Sequence, residues 1–456
     1  MKLNHIYKSI ACGVLLAMTA TSCDLDYNPV DTYSDVTEGV NKTDEKPIFN
    51  SVQDVETSMV TLHKKFRDRQ EHWYVDKLLI GDAHSDNAYA GTTGAEVVPY
   101  ETNSIEGSNS VLKRDWDRFL GDIAVANRII VGCDQLKALS ESERGKYQSQ
   151  AKIFRAMVMF DMVRLWGNFP VITTVGGDIT EDNVEEMYPT YFPPQNTAEE
   201  AYAQIEKDLT EAVENPNTPT NDTSDKSILT KSVARAMLAK VYAEKPLRDY
   251  AKVIKYADEL AADGFDLVED FSDLWAYDTE KKDCRVRNTK EAILEAHFPP
   301  GSGNWCTWMF GRNLSNWDES FTWAKWITPS RDLIRLYEEQ GDTKRYNESV
   351  VWYDCGWSNY YPADHYAFMY KCRSAFNSII YLRYADILLL KAEAKIMGEA
   401  PDLHRAAASA TAPDWANFHK APAAVKKHCS KLIWTNAAWS LPLKDSAGTT
   451  FAASIR

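Results

Sequence analysis

Apolar side chains recur at intervals of three and four residues through the segment QSQAKIFRAMVMFDMVRLW, residues 148–166. This spacing is typical of an amphipathic helix, and Gly167 and Pro170 directly after it form a helix stop. Other segments share the period and are separated mostly by short loops: residues 54–69, 111–136, 198–213, 229–244, 249–262 and 377–397. The chain is therefore expected to pack helix against helix.

One helix pair shows a more specific pattern. Within residues 229–262, Ala239, Tyr242 and Ala251 have the offsets of a tetratricopeptide repeat, in which small residues let paired helices approach closely. Strand-like alternation is limited to short segments near residues 292–298. The predicted fold class is mostly α, with long decorated loops.

The charge of the chain limits its partners. The formal net charge is -15, and it becomes more negative if an N-terminal segment that carries Lys2 and Lys8 and no acids is removed. Such a chain is a poor partner for nucleic acid or an anionic membrane, so neutral ligands or another protein are favoured. A hydrophobic content of 44% is sufficient to build a core for a globular protein.

The first 23 residues, MKLNHIYKSIACGVLLAMTATSC, have the layout of a lipoprotein signal peptide. A basic start precedes an apolar stretch too short to span a bilayer, and small residues lead to Cys23. We expect residues 1–22 to be removed, Cys23 to carry lipid, and residues 23–47 to form a polar tether. An ordinary secretory signal with a chance cysteine is the alternative. No later apolar run approaches membrane length, so the lipid is the expected anchor.

Cysteine spacing and enzyme motifs give little support for a metal site or for catalysis. The remaining cysteines show no CxxC spacing, which disfavours a zinc site or a disulfide framework. The motifs GxSxG, HExxH, Walker A and GxGxxG are absent from the sequence. No cofactor and no catalytic residue is predicted.

Five segments together resemble the SusD/RagB family in their order and approximate spacing. They are RAMVMFDMVRLWGNFPVI (155–172), YAQIEKDLTEAV (202–213), LTKSVARAMLAKVYAEK (229–245), TKEAILEAHF (289–298) and YLRYADILLLKAEA (381–394). The resemblance implies tetratricopeptide-like helix pairs that form a superhelical scaffold, with an N-terminal helical region at residues 48–270 and a C-terminal region at residues 271–400. It also implies an outer-membrane lipoprotein, exposed at the cell surface, that binds glycans as the lid of a SusC-like TonB-dependent transporter. Such a protein is a binding component and not an enzyme. Asp24 and Asp26, directly after the lipidated cysteine, resemble the surface-export signal of Bacteroidota lipoproteins.

The C-terminal residues 401–456 depart from this family. They lack a sustained helical period, and the two segments with which the family ends are missing. Codons compatible with residues 408–416 and 434–456 can encode RERNRAGLG and LDERRMELAFEGQRWYDLRRIDT in another reading frame. We therefore hypothesise a one-base frameshift near residues 401–407, which predicts an unstructured tail at residues 401–456.

The loop at residues 299–327 is the first candidate for a glycan site, because sugar binding uses aromatic faces beside amides and carboxylates. Trp305, Trp308 and Trp317 are the predicted contacts in this loop, and Asn304 lies beside them. The alternative for each tryptophan is core packing beneath a long loop.

Two more segments supply candidates. Residues 81–100 follow an early helix, where the family places a loop of its glycan site, and Asn87, Tyr89 and Tyr100 are the predicted contacts. Asp82, His84 and Asp86 suggest metal ligands only superficially, since capping and turn roles explain them equally. The aromatic residues 352–370 form the third candidate, which includes Trp357, Tyr360 and Tyr361, and its alternative is a packed insertion.

Two rival functions remain open at this stage. An all-α glycoside hydrolase would need two carboxylates, and Asp318 and Glu319 lie beside the tryptophans. A surface lipoprotein that binds peptides or another nutrient on the same scaffold also fits the sequence.

Overall fold

The protein was analysed as a computed structural model. It describes residues 47–90, 96–177, 185, 191–278, 280, 283–298, 303–305, 327–356, 358–371, 373–374 and 376–397. The elements below lie within a unit that begins at Ile48. Cys23 and the tail at residues 401–456 lie outside the described residues, so the signal, tether and domain boundaries remain predictions.

The longer helices fall close to the predicted segments. They are α1 (Val52–Asp68), α2 (Ser110–Gln135), α3 (Glu141–Trp166), α4 (Ala198–Glu214), α5 (Lys231–Ala243), α6 (Tyr250–Ala262), α7 (Arg331–Gln340), α8 (Thr343–Ser349) and α9 (Tyr384–Met397). Consecutive helices from α2 to α6 pack against one another, and α9 packs on α5 and α6. The prediction of a mostly α fold with tetratricopeptide-like helix pairs is confirmed.

Local sequence signals set the helix ends. Ser51, Ser140 and Thr197 each form a capping box at the start of α1, α3 and α4, in which the hydroxyl accepts from the third helical backbone N–H. Gly167 ends α3 with a φ of 74°, which agrees with the predicted glycine stop. These contacts satisfy backbone groups that a helix leaves unpaired.

The helix α3 lies at the centre of the main core. Its residues from Ser149 to Val163 are all buried except Lys152, because α2 packs on one side and α4 on the other. In the α5–α6 pair, Ala239 is fully buried as expected, whereas Ala251 is exposed. On α6 the buried alanine is instead Ala257, which has no exposed surface. A helix presents one face to its neighbour, and Ala251 lies off that face.

Short antiparallel strand pairs join distant segments. They are β1 (Ala88–Ala90) with β5 (Ile327–Pro329), β2 (Tyr277–Asp278) with β3 (Asp283–Cys284), β4 (Ala292–Ala296) with β8 (Ile379–Arg383), and β6 (Val350–Tyr353) with β7 (Tyr366–Met369). The predicted strand near residues 292–298 is confirmed by β4. The prediction that residues 377–397 form one helix is wrong at its start, because residues 379–383 form β8. The pairing with the fully buried β4 outweighs the helical period there.

Residues 71–83 are wound unusually. Two π-helical turns, Glu71–Val75 and Leu79–Ala83, flank one α-helical turn, Asp76–Leu78. Turns of this kind are rare in proteins overall, and those that do occur often lie at functional sites. Nothing in the sequence predicted them.

Among the described residues, no helix is both long enough and apolar enough to span a membrane. The same residues contain no group of three or more His, Cys, Asp or Glu side chains suited to hold a metal ion.

The frameshift hypothesis can be tested directly on the gene. Sequencing from the codon of Tyr381 to beyond the present stop, read in all three frames, is expected to show DERxxELAFEGxRWxDLxR in the alternate frame. Its absence would mean that the tail is genuine and that the family resemblance ends near residue 400.

Candidate functional site

The structure brings together parts of all three predicted segments. Strand β1 from the second candidate pairs with β5 at the end of the first, with Ala90 opposite Ile327 and Ala88 opposite Pro329. Tyr360 from the third candidate donates its hydroxyl toward the carbonyl oxygen of Ala90, 2.7 Å away. Residues far apart in sequence therefore meet at β1.

Three tyrosines, Tyr89, Tyr360 and Tyr361, form what we call the tyrosine cluster. The rings of Tyr89 and Tyr360 stack with centroids 4.5 Å apart and an angle of 9° between their planes. Tyr361 lies 6.4 Å from Tyr89 and is tilted by 52°. Tyr89 and Tyr360 are half-buried, whereas Tyr361 is buried. The cluster therefore has part of its surface open to solvent.

Hydrogen bonds to the protein occupy the hydroxyl groups of the cluster. The Tyr360 hydroxyl lies 2.9 Å from Glu101 Oε2, and the same oxygen accepts from the backbone N–H of Ala90 at 2.8 Å. Burial and the Glu101 carboxylate raise the pKa of Tyr360 above its ordinary value. Tyr361 donates to the carbonyl oxygen of Pro329 at 2.7 Å. With the hydroxyls fixed in this way, the ring faces are the groups left for a ligand.

Arg331, the first residue of α7, completes the cluster. Its guanidinium carbon lies 4.8 Å from the centroid of the Tyr361 ring and 5.9 Å from that of Tyr89. Its backbone N–H donates to the Tyr89 hydroxyl oxygen at 3.2 Å, and its side chain donates to the carbonyl oxygen of Tyr360. The cation thus holds both stacked tyrosines in place.

A second aromatic pair continues the cluster along β6 and β7. Trp352 stacks on His365 at 4.3 Å with a 3° angle between the rings, and His365 is exposed. Trp352 also meets Tyr361 edge to face at 5.2 Å. The Trp352 indole N–H donates to the Tyr346 hydroxyl oxygen at 2.9 Å. The rings of Trp352 and His365 therefore extend the aromatic surface of the tyrosine cluster.

Asn87 and Asp82 lie in the turn just before β1. The carbonyl oxygen of Asn87 accepts from the backbone N–H of Ser330 at 3.0 Å, and the side chain of Asn87 is half-buried. Burial raises the pKa of Asp82 to about 7, although the Lys371 ammonium and the nearby Asn87 side chain favour its ionised form. This turn supplies the polar groups next to the tyrosine cluster.

Trp305 is half-buried and packs against the main core. Its backbone N–H donates to Gln70 Oε1 at 2.7 Å, and Gln70 Nε2 donates to the carbonyl oxygen of Gly303 at 3.1 Å. Asn304 is buried and bonds to the carbonyl oxygens of Ser374 and Asn377, so its amide is used within the fold. Trp308, Trp317, Asp318 and Glu319 lie outside the described residues.

Tyr100 lies in a small buried core and not at the protein surface. Its side chain has no exposed area and packs with Leu79, Ile80 and Val111 in a small apolar cluster. Its hydroxyl lies 3.4 Å from Asn109 Oδ1. The ring is therefore inaccessible to a ligand, and we leave Tyr100 out of the proposed contacts.

Sequence reasoning missed several residues of this site. Arg331 and Glu101 were not predicted, because each is an ordinary charged residue whose partners lie far away in sequence. His365 lies inside the third predicted segment, but only the β6–β7 register, with Val350 opposite Met369, shows that it meets Trp352. Ser330, which caps α7 directly before Arg331, is a helix-start signal and carries no sign of binding.

The chain is similar to proteins of one family. The family model described as "Starch-binding associating with outer membrane" matches residues 33–243. A curated SusD-like protein from Bacteroides ovatus is 25% identical over 309 residues, which are 65% of this chain and 50% of that protein. The chain thus spans about half the length of this curated relative.

Solved structures show the same fold. A laminarin-binding SusD-like protein matches with a TM-score of 0.59 at 19% identity, over 89% of this chain and 87% of its own. Surface glycan-binding protein A from Bacteroides uniformis matches with a TM-score of 0.63 at 17% identity, over 79% of each chain. A SusD superfamily protein from Bacteroides thetaiotaomicron matches with a TM-score of 0.62 at 18% identity, over 78% of each chain.

Proposed function

Because the chain belongs to the SusD/RagB family, we propose that it captures an oligosaccharide on the tyrosine cluster. The stacked pair of Tyr89 and Tyr360 is the observation that carries this proposal. Both rings are half-buried, and their hydroxyl groups are engaged with the protein. Rings held in this way present a rigid apolar surface, which suits the C–H face of a pyranose.

The polar neighbours of the cluster suit the hydroxyl groups of a sugar. Asn87 offers both a donor and an acceptor from its amide, and Arg331 offers donors at the edge of the rings. Trp305 remains a proposed contact from the neighbouring segment, together with Trp308 and Trp317. The surface glycan-binding and laminarin-binding names of the structural relatives support this class of ligand.

The proposed setting is the outer face of the outer membrane. Lipid on Cys23 would anchor the protein, and residues 23–47 would tether it. From there it would pass its ligand to a SusC-like TonB-dependent transporter. The description of the matched family as associating with the outer membrane supports this setting.

The protein is proposed to bind its ligand without chemical change. The nearest acid of the tyrosine cluster, Glu101, already accepts hydrogen bonds from Tyr360 and from the backbone of Ala90, so it is poorly placed to transfer a proton to a sugar. A glycoside hydrolase would release reducing ends from the bound polysaccharide. A nutrient-binding protein for peptides would bind peptides and no polysaccharide.

Replacing Tyr89 by alanine is expected to weaken polysaccharide binding between about twofold and tenfold, because the stacked aromatic face is lost. Affinity electrophoresis of the mature chain, made without lipid through Cys23→Ser, would measure retention in gels with starch, laminarin and other polysaccharides. The variant Tyr89→Phe keeps the ring and loses only the oxygen that accepts from Arg331. It is expected to retain most of the binding.

A matched control separates the site from a general loss of aromatic surface. Phe192 is 68% exposed and lies outside the cluster, so Phe192→Ala should leave retention unchanged. Unchanged retention of Tyr89→Ala and Tyr360→Ala would exclude the tyrosine cluster. Unchanged retention of a triple alanine variant of Trp305, Trp308 and Trp317 would exclude the tryptophan segment separately.

A further inference from the structure

The two stacked rings of the tyrosine cluster run in opposite directions. The Tyr89 hydroxyl oxygen accepts from the backbone N–H of Arg331 at 3.2 Å, so the tip of this ring lies at the start of α7. The Tyr360 hydroxyl donates to the carbonyl oxygen of Ala90, the residue that directly follows Tyr89 in β1. The tip of the Tyr360 ring therefore lies beside the base of the Tyr89 side chain.

Opposite charges mark the two ends of the Tyr360 residue. At its hydroxyl, Glu101 Oε2 accepts at 2.9 Å, and the same oxygen accepts from the backbone N–H of Ala90 at 2.8 Å. At its backbone, the carbonyl oxygen accepts from the Arg331 side chain. The length of one tyrosine thus separates the carboxylate from the guanidinium, and Glu101 is already bound within the protein.

The exposed Arg331 side chain has no acidic partner within the part of the chain that the structure describes. Its one hydrogen-bond acceptor there is the carbonyl oxygen of Tyr360. Arg335, one turn later on α7, is instead paired with Asp332 and Glu339. The chain carries 66 acidic and 51 basic residues, and yet none of the described carboxylates neutralises this cation beside the stacked rings.

The chemistry of the Arg331 guanidinium favours a carboxylate as its missing partner. Its carbon lies 4.8 Å from the centroid of the Tyr361 ring and 5.9 Å from that of Tyr89, and these contacts limit its movement. The bond to the Tyr360 carbonyl uses only one of its N–H donors. A guanidinium binds a carboxylate through two parallel hydrogen bonds, whereas a single hydroxyl oxygen cannot match this fork.

We propose that the glycan captured on the tyrosine cluster contains uronic acid, whose carboxylate binds Arg331 while its ring lies on Tyr89 and Tyr360. This inference rests on the proposed function and makes the ligand an acidic polysaccharide. The net charge of -15 opposes a polyanion at long range, but exposed charges farther apart than about 8 Å are largely screened at physiological ionic strength. The preference for a neutral ligand that the net charge indicates therefore does not extend to this site.

Isothermal titration calorimetry of the mature chain with Cys23→Ser would compare polygalacturonate, alginate and hyaluronan with the carboxyl-reduced form of each polymer, which is uncharged at those positions. We expect at least one acidic polymer to bind more tightly than its reduced form. Arg331→Gln should lower the affinity for that polymer about fivefold to tenfold, because the charged bond is lost. Its affinity for the reduced form should fall much less, since glutamine can still donate to the Tyr360 carbonyl oxygen. Arg331→Lys should recover only part of the loss, because it keeps the charge without the planar fork.

Arg335→Gln is the matched control, because it removes the same charge from the same helix. Arg335 is 64% exposed and already paired with acids, so its loss should leave both affinities unchanged. If Arg331 only held the tyrosines in place, Arg331→Gln would weaken the acidic and the reduced polymer equally, and this result would overturn the inference. An equal loss in Arg335→Gln, or no preference of the wild type for an acidic polymer, would also overturn it.

Starch and laminarin in the same titrations separate this inference from the proposed function. Binding of either neutral polysaccharide that Tyr89→Ala weakens, without binding of any acidic polymer, would refute the uronic acid and retain the tyrosine cluster as a glycan site. If no polysaccharide of either kind is bound, the proposed function and this inference both fail.

Discussion

Replacing Asp161 by alanine is expected to lower the free energy of unfolding by about 3 to 5 kcal/mol, the cost of leaving a buried charge without its partner. The Lys77 ammonium contacts the Asp161 carboxylate and the Tyr381 hydroxyl, and it lies 4.7 Å from the centroid of the Trp73 ring. The side chains of Lys77 and Asp161 are only 9% and 5% exposed. Burial lowers the pKa of Lys77, and the attraction of Asp161 opposes this. Urea unfolding followed by circular dichroism would measure the loss.

An exposed ion pair provides the matched control. Lys113 and Asp117 lie 2.9 Å apart on α2 with side chains that are 73% and 61% exposed. Asp117→Ala should therefore cost less than about 1 kcal/mol. The double variant Lys77→Met, Asp161→Leu should recover most of the loss, since it removes both charges. A cost for Asp161→Ala no larger than that of the control would mean that water or another anion compensates Lys77.

Replacing Asp115 by asparagine is expected to stabilise the protein above about pH 5, by an amount that grows with pH. Asp76 and Asp115 are both buried, and the charge of Asp76 acts on Asp115. Among the described residues, neither Asp76 Oδ1 nor Asp115 Oδ1 has a donor when both groups are ionised. A single proton between the carboxyl groups resolves this conflict, and the pair faces the Arg114 guanidinium. Burial and the Asp76 charge accordingly raise the pKa of Asp115 well above its ordinary value.

The sign of the effect follows from proton linkage. The folded protein keeps the Asp115 proton, whereas the unfolded chain releases it above about pH 4. The wild type therefore loses stability as pH rises through this window, by up to about 1.4 kcal/mol per pH unit from this group. Asparagine can donate to Asp76 at every pH, so Asp115→Asn should lack this loss.

Thermal unfolding of the wild type and of Asp115→Asn between pH 5 and pH 8 would measure the difference in their stability. Asp117→Asn on the exposed face of the same helix should follow the wild type across this range. A constant difference between Asp115→Asn and the wild type would contradict the shared proton.

The helical part of the fold was predictable because each helix carries its own signal. Apolar period, capping residues and a glycine stop all lie within one short segment, as α3 shows from Ser140 to Gly167. The start of residues 377–397 was not predictable, because β8 depends on a partner, β4, that lies elsewhere in the chain. The two π-helical turns were not predictable either, and Asp76 and Lys77, which lie between them, are bound by distant residues.

The candidate site was predictable as a set of segments and not as a surface. Aromatic density marked residues 352–370, and Tyr89 was named, but the stacking of Tyr89 on Tyr360 depends on the β1–β5 pairing. Residue type alone could not separate Tyr89 from Tyr100, which is enclosed in a small core. Asn304 was read as a polar neighbour of the tryptophans and proves to bind backbone carbonyls.

Strand β8 has a consequence for the order in which the protein can fold. Tyr381 contacts Lys77 across 304 residues of sequence, and β8 covers the fully buried β4. During synthesis, the helices that precede β8 therefore exist for some time without the Tyr381 hydroxyl group that contacts Lys77. Closing so long a loop has an entropic cost, which is offset only after β8 has paired with β4. The bonding of the buried Lys77 ammonium is therefore completed only after β8 has been synthesised and has paired with β4.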